Sequence, residues 1–441
     1  MNKSLKEITL ARFDEEVKKH YRWNFTVNLM DWTLFFMGMG FVSVNTVLPV
    51  FIRHFTSSNF LIGFVPCLGA LGWFLPQILA ANFTQKLRRK KDLIIFTGLG
   101  ERIPWLFLFL AVMLFPPSSS FLFLISFFIL YGVFSLSGGI GSSAWQDMVA
   151  KVTPLKNRGH LFGWRSFLGG GAGILAAFLS IYLLKSFSFP RNFALCFLFA
   201  FGATSISYGF LLSVREPSSP VRSEGTGFRE YLFSLPSLLR GDKNFFFFLV
   251  SNILFGFGGM ATAFFAVYAM DKLTLPDSQI GVFTLLLLLG QSISSILWGY
   301  LGNKKGYKLV LELGTVVTIL SISLAILSSS VYLFYVVFFI FGMAFSASLI
   351  SLHGITLEFS TPEMRPTYIA LANTVRAPFI SLSPLLGGLL ADRLSFPFVF
   401  VLAIFILLGG ILYSIFLVQE PRHFPAYELN RNLARNPGVN A

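Results

Sequence analysis

Apolar residues collect into twelve runs of about 20 residues or more, near 24–52, 60–83, 93–115, 121–149, 163–184, 192–214, 244–270, 280–301, 308–328, 331–358, 367–391 and 396–418, with short polar breaks between them. Runs of that length match helices crossing a hydrocarbon core about 30 Å thick. A closed membrane barrel would need alternating segments of about ten residues, whereas Asp92 to Phe115 is apolar for a helix length with only Glu101-Arg102 as charges after its first residue. The pattern predicts an all-α membrane protein with twelve transmembrane helices. Ahead of the first run, residues 1–23 are charged and carry Leu5, Ile8, Leu10, Phe13 and Val17 at roughly helical spacing. This reads as a retained amphipathic segment at the membrane surface, with no apolar core of the kind a cleaved signal needs.

The longest polar break, 215–243, divides the runs into two groups of six. The predicted organisation is an N-terminal bundle over 24–214, a linker over 215–243, a C-terminal bundle over 244–420 and a tail over 421–441. Within the linker, Phe228, Tyr231, Leu232, Leu235 and Leu238 outline a short interfacial helix that Pro236 would interrupt. The two groups repeat. Asn24-Phe25 opens the first run and Asn244-Phe245 the seventh, an offset of 220 that also aligns Leu34-Phe35 with Leu254-Phe255 and Gly38 with Gly258. Thr153-Pro154 after the fourth run is answered by Thr361-Pro362 after the tenth. Parallel six-helix repeats around a site at their interface are the architecture of a two-bundle transporter.

Composition agrees: 55% apolar and 12% charged residues, with a mean hydropathy of +0.71, exclude an ordinary soluble globule. Cys67 and Cys196 both lie inside apolar runs, which excludes a disulfide framework and argues against a thiolate metal site. Most of the 34 lysines and arginines fall in breaks on the side that carries both termini. The positive-inside rule then places both termini in the cytoplasm and the protein in the cell membrane as a multi-pass chain. The net charge of +14 is explained by this bias beside anionic lipid and does not call for nucleic acid.

The loop after the eighth run carries a more specific signal. It reads Gly299-Tyr300-Leu301-Gly302-Asn303-Lys304-Lys305-Gly306-Tyr307-Lys308. This resembles the signature Gly-x-Leu-x-Asp-Arg-x-Gly-Arg-Lys of the major facilitator superfamily, and the resemblance extends from about Asn24 to Glu420. The first-half copy, Ala81-Asn82-Phe83-Thr84-Gln85-Lys86-Leu87-Arg88-Arg89-Lys90, is degenerate. Gln85 and Asn303 stand where the family has its acid, so the charge relay that the family implies at this loop lacks its carboxylate. The run from Pro384 through Gly387 and Gly388 to Asp392-Arg393 also looks like the family, while the fifth run has Gly169, Gly170, Gly171 and Gly173 without the proline of the antiporter signature. The resemblance implies a cytoplasmic gate that would include Gln85, Lys86, Asn303 and Lys304, joined by Asp147 and Glu358 at span ends.

Charges inside spans are costly enough that each must face a bundle interior, a wet cavity or a partner. Asp31 lies about 10 Å into the first span at helical rise, with Asn28 on its face, and its repeat equivalent is Ser251. It is a candidate to take up and release a proton during transport; the alternative is a permanent ion pair with Arg102, Arg165 or Arg376. Glu101 and Arg102 are adjacent, so on a continuous helix they point about 100° apart and each needs a neighbour elsewhere. A buried network of Glu101, Arg102 and Arg165 is the expectation, with Glu101 pairing Arg165. Arg376 shares a face with Asn373 and precedes Pro378. Gln146, Asn252 and His353 are the uncharged polar residues expected nearest a ligand.

A nucleotide-driven pump is excluded on this chain, which has no Gly-x-x-x-x-Gly-Lys-Ser/Thr loop. An intramembrane lipid-modifying enzyme would need a clustered constellation, yet His20, His54, His160, His353 and His423 are scattered. The reading is a secondary transporter, and no enzyme, that moves a small molecule by alternating access as a monomer in the bilayer, without cofactor or metal. Few deep charges and many aromatics lean it toward proton-coupled efflux of amphipathic compounds. Uptake of a sugar or other small nutrient is the alternative.

Overall fold

The computed structural model describes residues 3–115, 120–218, 242–360 and 365–423, and among them every regular element is helical. In the first half these are α1 (Lys3–Phe41), α2 (Val47–Arg53), α3 (Asn59–Lys86), α4 (Lys91–Gly100), α5 (Ile103–Leu114), α6 (Ser120–Val152), α7 (Leu155–Ser186) and α8 (Arg191–Leu212). In the second half they are α9 (Lys243–Gly256), α10 (Gly259–Thr262), α11 (Phe265–Leu273), α12 (Ser278–Lys305), α13 (Tyr307–Leu327), α14 (Val331–Phe359), α15 (Arg365–Arg393) and α16 (Phe396–Leu417). Among the described residues, eleven segments are long and apolar enough to cross a membrane. The twelfth expected span is α1, whose part beyond the charged N-terminal stretch is less apolar because it carries Asn24, Asn28 and Asp31 and ends at Phe41. The interfacial helix expected around Phe228 lies outside the described residues.

Large apolar side chains point outward along the spans, with Phe121, Ile296 and Phe416 each nearly 80% exposed. A water-soluble chain would not leave so many uncovered; here lipid is the solvent that covers them.

The chain divides into two compact units, one of residues 1–43 and 68–231 and the other of 44–67 and 232–441. In the first, α1 packs along α7 and α8, and α4 and α5 pack against α6 and α8. In the second, α12 and α13 pack on α14, while α9 lies against α15 and α16. Residues 44–67, assigned by sequence to the first bundle, belong by their contacts to the second unit. Asp392 holds them there by accepting from the Asn59 and Phe60 backbone N–H groups at 2.7 and 3.0 Å and from the Ser58 hydroxyl at 3.0 Å. A carboxylate at a helix N-terminus satisfies donors that have no partner within the helix. Arg53 adds an ion pair with Asp271.

The repeat read in the sequence has a physical cause in each unit. Asn24 donates to the Arg215 carbonyl and accepts from its N–H, both at 2.9 Å. Asn244 makes the same pair with Gln419 at 3.0 and 2.8 Å. One asparagine thus ties the start of the first span to the backbone just past the last span in each half. Close helix approach repeats as well. A Cβ on Gly139 of α6 would stand 2.2 Å from the Gly72 carbonyl of α3, and one on Gly342 of α14 would stand 2.1 Å from the Leu287 carbonyl of α12.

Three expected spans are interrupted. The first breaks between α1 and α2 and the seventh into α9, α10 and α11, at corresponding places in the repeat. The third breaks between α4 and α5, at Glu101 and Arg102. There Pro104 occupies the first turn of α5 and, having no N–H, leaves the Gly100 carbonyl without its helical donor. The matching span of the second half, α13, is continuous. Proline alone does not break these helices, since α15 runs through Pro378 and Pro384.

Gly139→Ala and Gly342→Ala are each expected to lower stability by about 1–3 kcal/mol through overpacking against backbone that cannot yield. Gly202→Ala, with nothing within 4 Å of the new methyl, should have no such cost. Thermal unfolding of the purified variants measures the contrast; equal melting of all three would mean that the contacts are loose.

Candidate functional site

The break in the third span brings Glu101 and Arg102 together. Arg102 Nη1 lies 2.9 Å from Glu101 Oε2, which corrects the expectation that adjacent positions point apart and that Glu101 pairs with Arg165: the 100° rule holds on a continuous helix, and here the helix is interrupted. Arg102 is almost fully engaged. Its Nε donates to the Thr204 carbonyl at 2.9 Å and Nη1 to the Gly98 carbonyl at 2.8 Å, while Nη2 reaches the Ser207 hydroxyl at 3.4 Å. The Tyr208 ring lies 4.8 Å from its guanidinium carbon. Such a residue fastens α4 and α5 to α8.

Asp31 is buried on α1 and accepts a 2.6 Å hydrogen bond from Ser207. Ser207 therefore links Asp31 to Arg102, the Trp145 indole also bonds the carboxyl, and neither Arg102 nor Arg165 makes a direct ion pair with Asp31, although both act on it through space. One turn back along α1, Asn28 donates to the Asn24 carbonyl at 2.7 Å while its own Oδ1 is buried without a partner.

Arg165 of α7 is held differently. It is 3% exposed, and its guanidinium carbon lies 3.6 Å from the Trp32 ring centroid, 4.3 Å from Trp145 and 5.2 Å from Phe162. The two indoles are stacked with centroids 5.3 Å apart and form a floor under it. Gly169 permits this, because a Cβ there would crowd the Trp32 ring at 3.1 Å. On the α6 side, Trp145 packs on the cluster of Leu29, Val149 and Leu161. Neither Nε nor Nη1 of Arg165 makes a hydrogen bond. Gln146, beside Trp145, is exposed.

In the second unit, Arg376 on α15 is half-buried with Asn252 Oδ1 of α9 3.5 Å from its Nη1, and Asn373 is half-buried one turn before it. The Nδ2 of Asn252 is buried without a partner. His353 is on α14; its side chain, like those of Gln85 and Lys86, lies outside the described residues.

At the end of the first unit where α3 gives way to α4, Lys90 pairs with Asp147 at 3.4 Å. The residue that organises this end is Glu216, which accepts from the Lys90 and Lys91 backbone N–H groups at 3.0 and 2.8 Å and pairs with Lys151 at 2.8 Å. In the second unit Asn303 accepts from the Tyr307 hydroxyl at 2.8 Å, and Lys304 lies 3.3 Å from the Tyr300 hydroxyl. Arg422 donates to the Gly302 and Asn303 carbonyls and to Glu358, the last at 2.8 Å. Glu420 lies against Gly306 at the start of α13, as Glu216 does at the start of α4. Glu216 and Arg422 were not singled out from the sequence, although a signal existed: Glu216-Pro217 and Glu420-Pro421 each follow the last span of their half. Trp32 and Ser207 carried none, being a common span residue and a common helix hydroxyl.

The sequence profile of the Major Facilitator Superfamily matches residues 30–271 and, a second time, residues 248–437. Among solved structures the chain is similar to the nucleoside transporter NupG (13% identity, 90% of this chain and 99% of that one, TM-score 0.68) and to a D-xylose-proton symporter (14%, 90% and 99%, TM-score 0.67). It is also similar to a POT family transporter in complex with 5-aminolevulinic acid (13%, 89% and 97%, TM-score 0.67). At these identities the likeness is one of fold. No curated protein matches by sequence.

Glu358 lies just past the apolar span, and burial pushes its carboxyl up to about 7 against the pull of Arg422; its Oε2 is buried without a partner. The folded protein thus keeps a proton that the unfolded chain releases near 4.5. The resulting stability is fully present below that value and is lost as pH rises through about 7. The melting temperature of the wild type relative to Glu358→Gln should therefore fall across that window. A difference independent of pH would mean that Arg422 keeps Glu358 ionised throughout.

Proposed function

The chain belongs to the Major Facilitator Superfamily, and from that premise we propose that it is a proton-coupled secondary transporter in the cell membrane, with Asp31 as its proton carrier and both termini in the cytoplasm. The observation that carries this reading is the setting of Asp31: a buried carboxyl in a span, hydrogen-bonded by the Ser207 hydroxyl and the Trp145 indole and making no direct ion pair. A permanently paired carboxylate would be fixed in its charge, whereas Asp31 feels Arg102 and Arg165 only through space. Intramembrane acids so placed mark proton pathways. Interrupted spans recur in the two halves, α1/α2 and α9/α10/α11, and alternating access is part of the same proposal. Efflux by proton exchange and uptake by symport run on the same carrier; the proton site is common to both.

Reconstitution in liposomes tests the assignment. An imposed pH gradient should drive solute accumulation by the wild type, and Asp31→Asn should abolish that drive while sparing solute exchange at equal pH. Full retention of the pH-driven component in Asp31→Asn would remove Asp31 as the carrier.

A further inference from the structure

The first unit contains two buried arginines in opposite circumstances. Arg102 spends its donors on Thr204, Gly98, Glu101 and Ser207. Arg165 is as deeply buried, yet Nε and Nη1 bond to nothing. Buried guanidinium donors left unsatisfied are expensive, and ring faces beneath a cation offset only part of that cost. The indoles of Trp32 and Trp145 also fix the plane of the group, which orients the unused N–H groups and lowers the entropy lost when they bind something. Asp31, the carboxylate that acts on Arg165 through space, is hydrogen-bonded by Ser207 and by the Trp145 indole instead. Phe162 and Ser166, which border the cluster on α7, are exposed, so it lies at the edge of the unit's packed interior.

We propose that Arg165, on its floor of Trp32 and Trp145, is the binding site for the carboxylate group of a small organic anion, which is the transported solute or the part of it that the protein recognises. Carboxylate is the chemistry that matches: planar, anionic and able to accept two N–H groups of a guanidinium. The proposal rests on the transporter reading and narrows it, favouring an anionic solute over a lipophilic cation. It gives Arg165 a role distinct from that of a member of a closed charge network.

The test is binding, which separates it from proton coupling. The full-length protein in detergent is melted in the presence of matched carboxylate and amide pairs: acetate and acetamide, benzoate and benzamide, nicotinate and nicotinamide. The expected result is that at least one carboxylate raises the melting temperature while its amide does not, and that Arg165→Gln abolishes the shift. Arg165→Lys keeps the charge and the contact with the indoles but loses the planar fork, and should weaken binding at least about tenfold. It serves as the informative variant if the glutamine form does not fold, and Trp145→Phe, which keeps a ring face, should retain part of the shift. No response to any carboxylate, equal responses within every pair, or an unchanged shift in the lysine variant would overturn the proposal. Loss of pH-driven transport with carboxylate binding intact, or the reverse, shows which of the two readings fails.

Discussion

Hydrocarbon offers no partner to a polar group, so every charge or open carbonyl within a span has to be satisfied by the chain itself. The arrangement around Asp31 follows from that constraint. Pro104 interrupts the third span, and Arg102, placed at the interruption, donates to the Gly98 and Thr204 carbonyls and to the neighbouring Glu101. Once engaged there, Arg102 reaches Ser207, and Ser207 presents its hydroxyl to Asp31. The helix break, the adjacent ion pair and the buried acid are thus joined in one chain of hydrogen bonds.

The same constraint explains why the two halves are alike in the contacts that build them and unlike in their buried charges. Asn24 and Asn244 repeat because each half must satisfy the backbone just past its last span. The glycine contacts of α3 with α6 and of α12 with α14 repeat because the helix crossing repeats. None of this needs a charge at mid-span. Asp31 has Ser251 as its equivalent, and the broken third span has the continuous α13. Departures from the repeat therefore mark residues that the fold alone does not require.

The span count, the helical class, the repeat and the family were legible in the sequence because each depends on a property that is local or periodic: run length, hydropathy, an Asn-Phe pair at a fixed offset. The charged side chains inside the spans were legible too, since a charge in an apolar run stands out. Their pairings were not. Glu101 and Arg102 pair only because the helix is broken between their flanking turns, and nothing in the run 93–115 announces a break except a proline that α15 shows can also be carried without one. The unit boundary within α3 was hidden for a related reason: residues 44–67 are continuous in sequence with the first bundle, and their contacts with Asp271 and Asp392 come from more than 200 residues away.

Arg165 shows where the chemistry of burial adds to the pattern of charges. In the sequence it is one of several span arginines, and its natural reading is a partner for the nearest acid. In the folded unit the nearby acids are already engaged, Glu101 by Arg102 and Asp31 by Ser207, and α1 and α6 offer Arg165 aromatic faces in their place. Rings stabilise a cation without using its N–H groups. A guanidinium so held stays charged, oriented and unsatisfied, a combination that costs stability in the empty protein and is relieved by an anion with the right geometry. Stability withheld from the resting fold in this way is available to a solute when it binds.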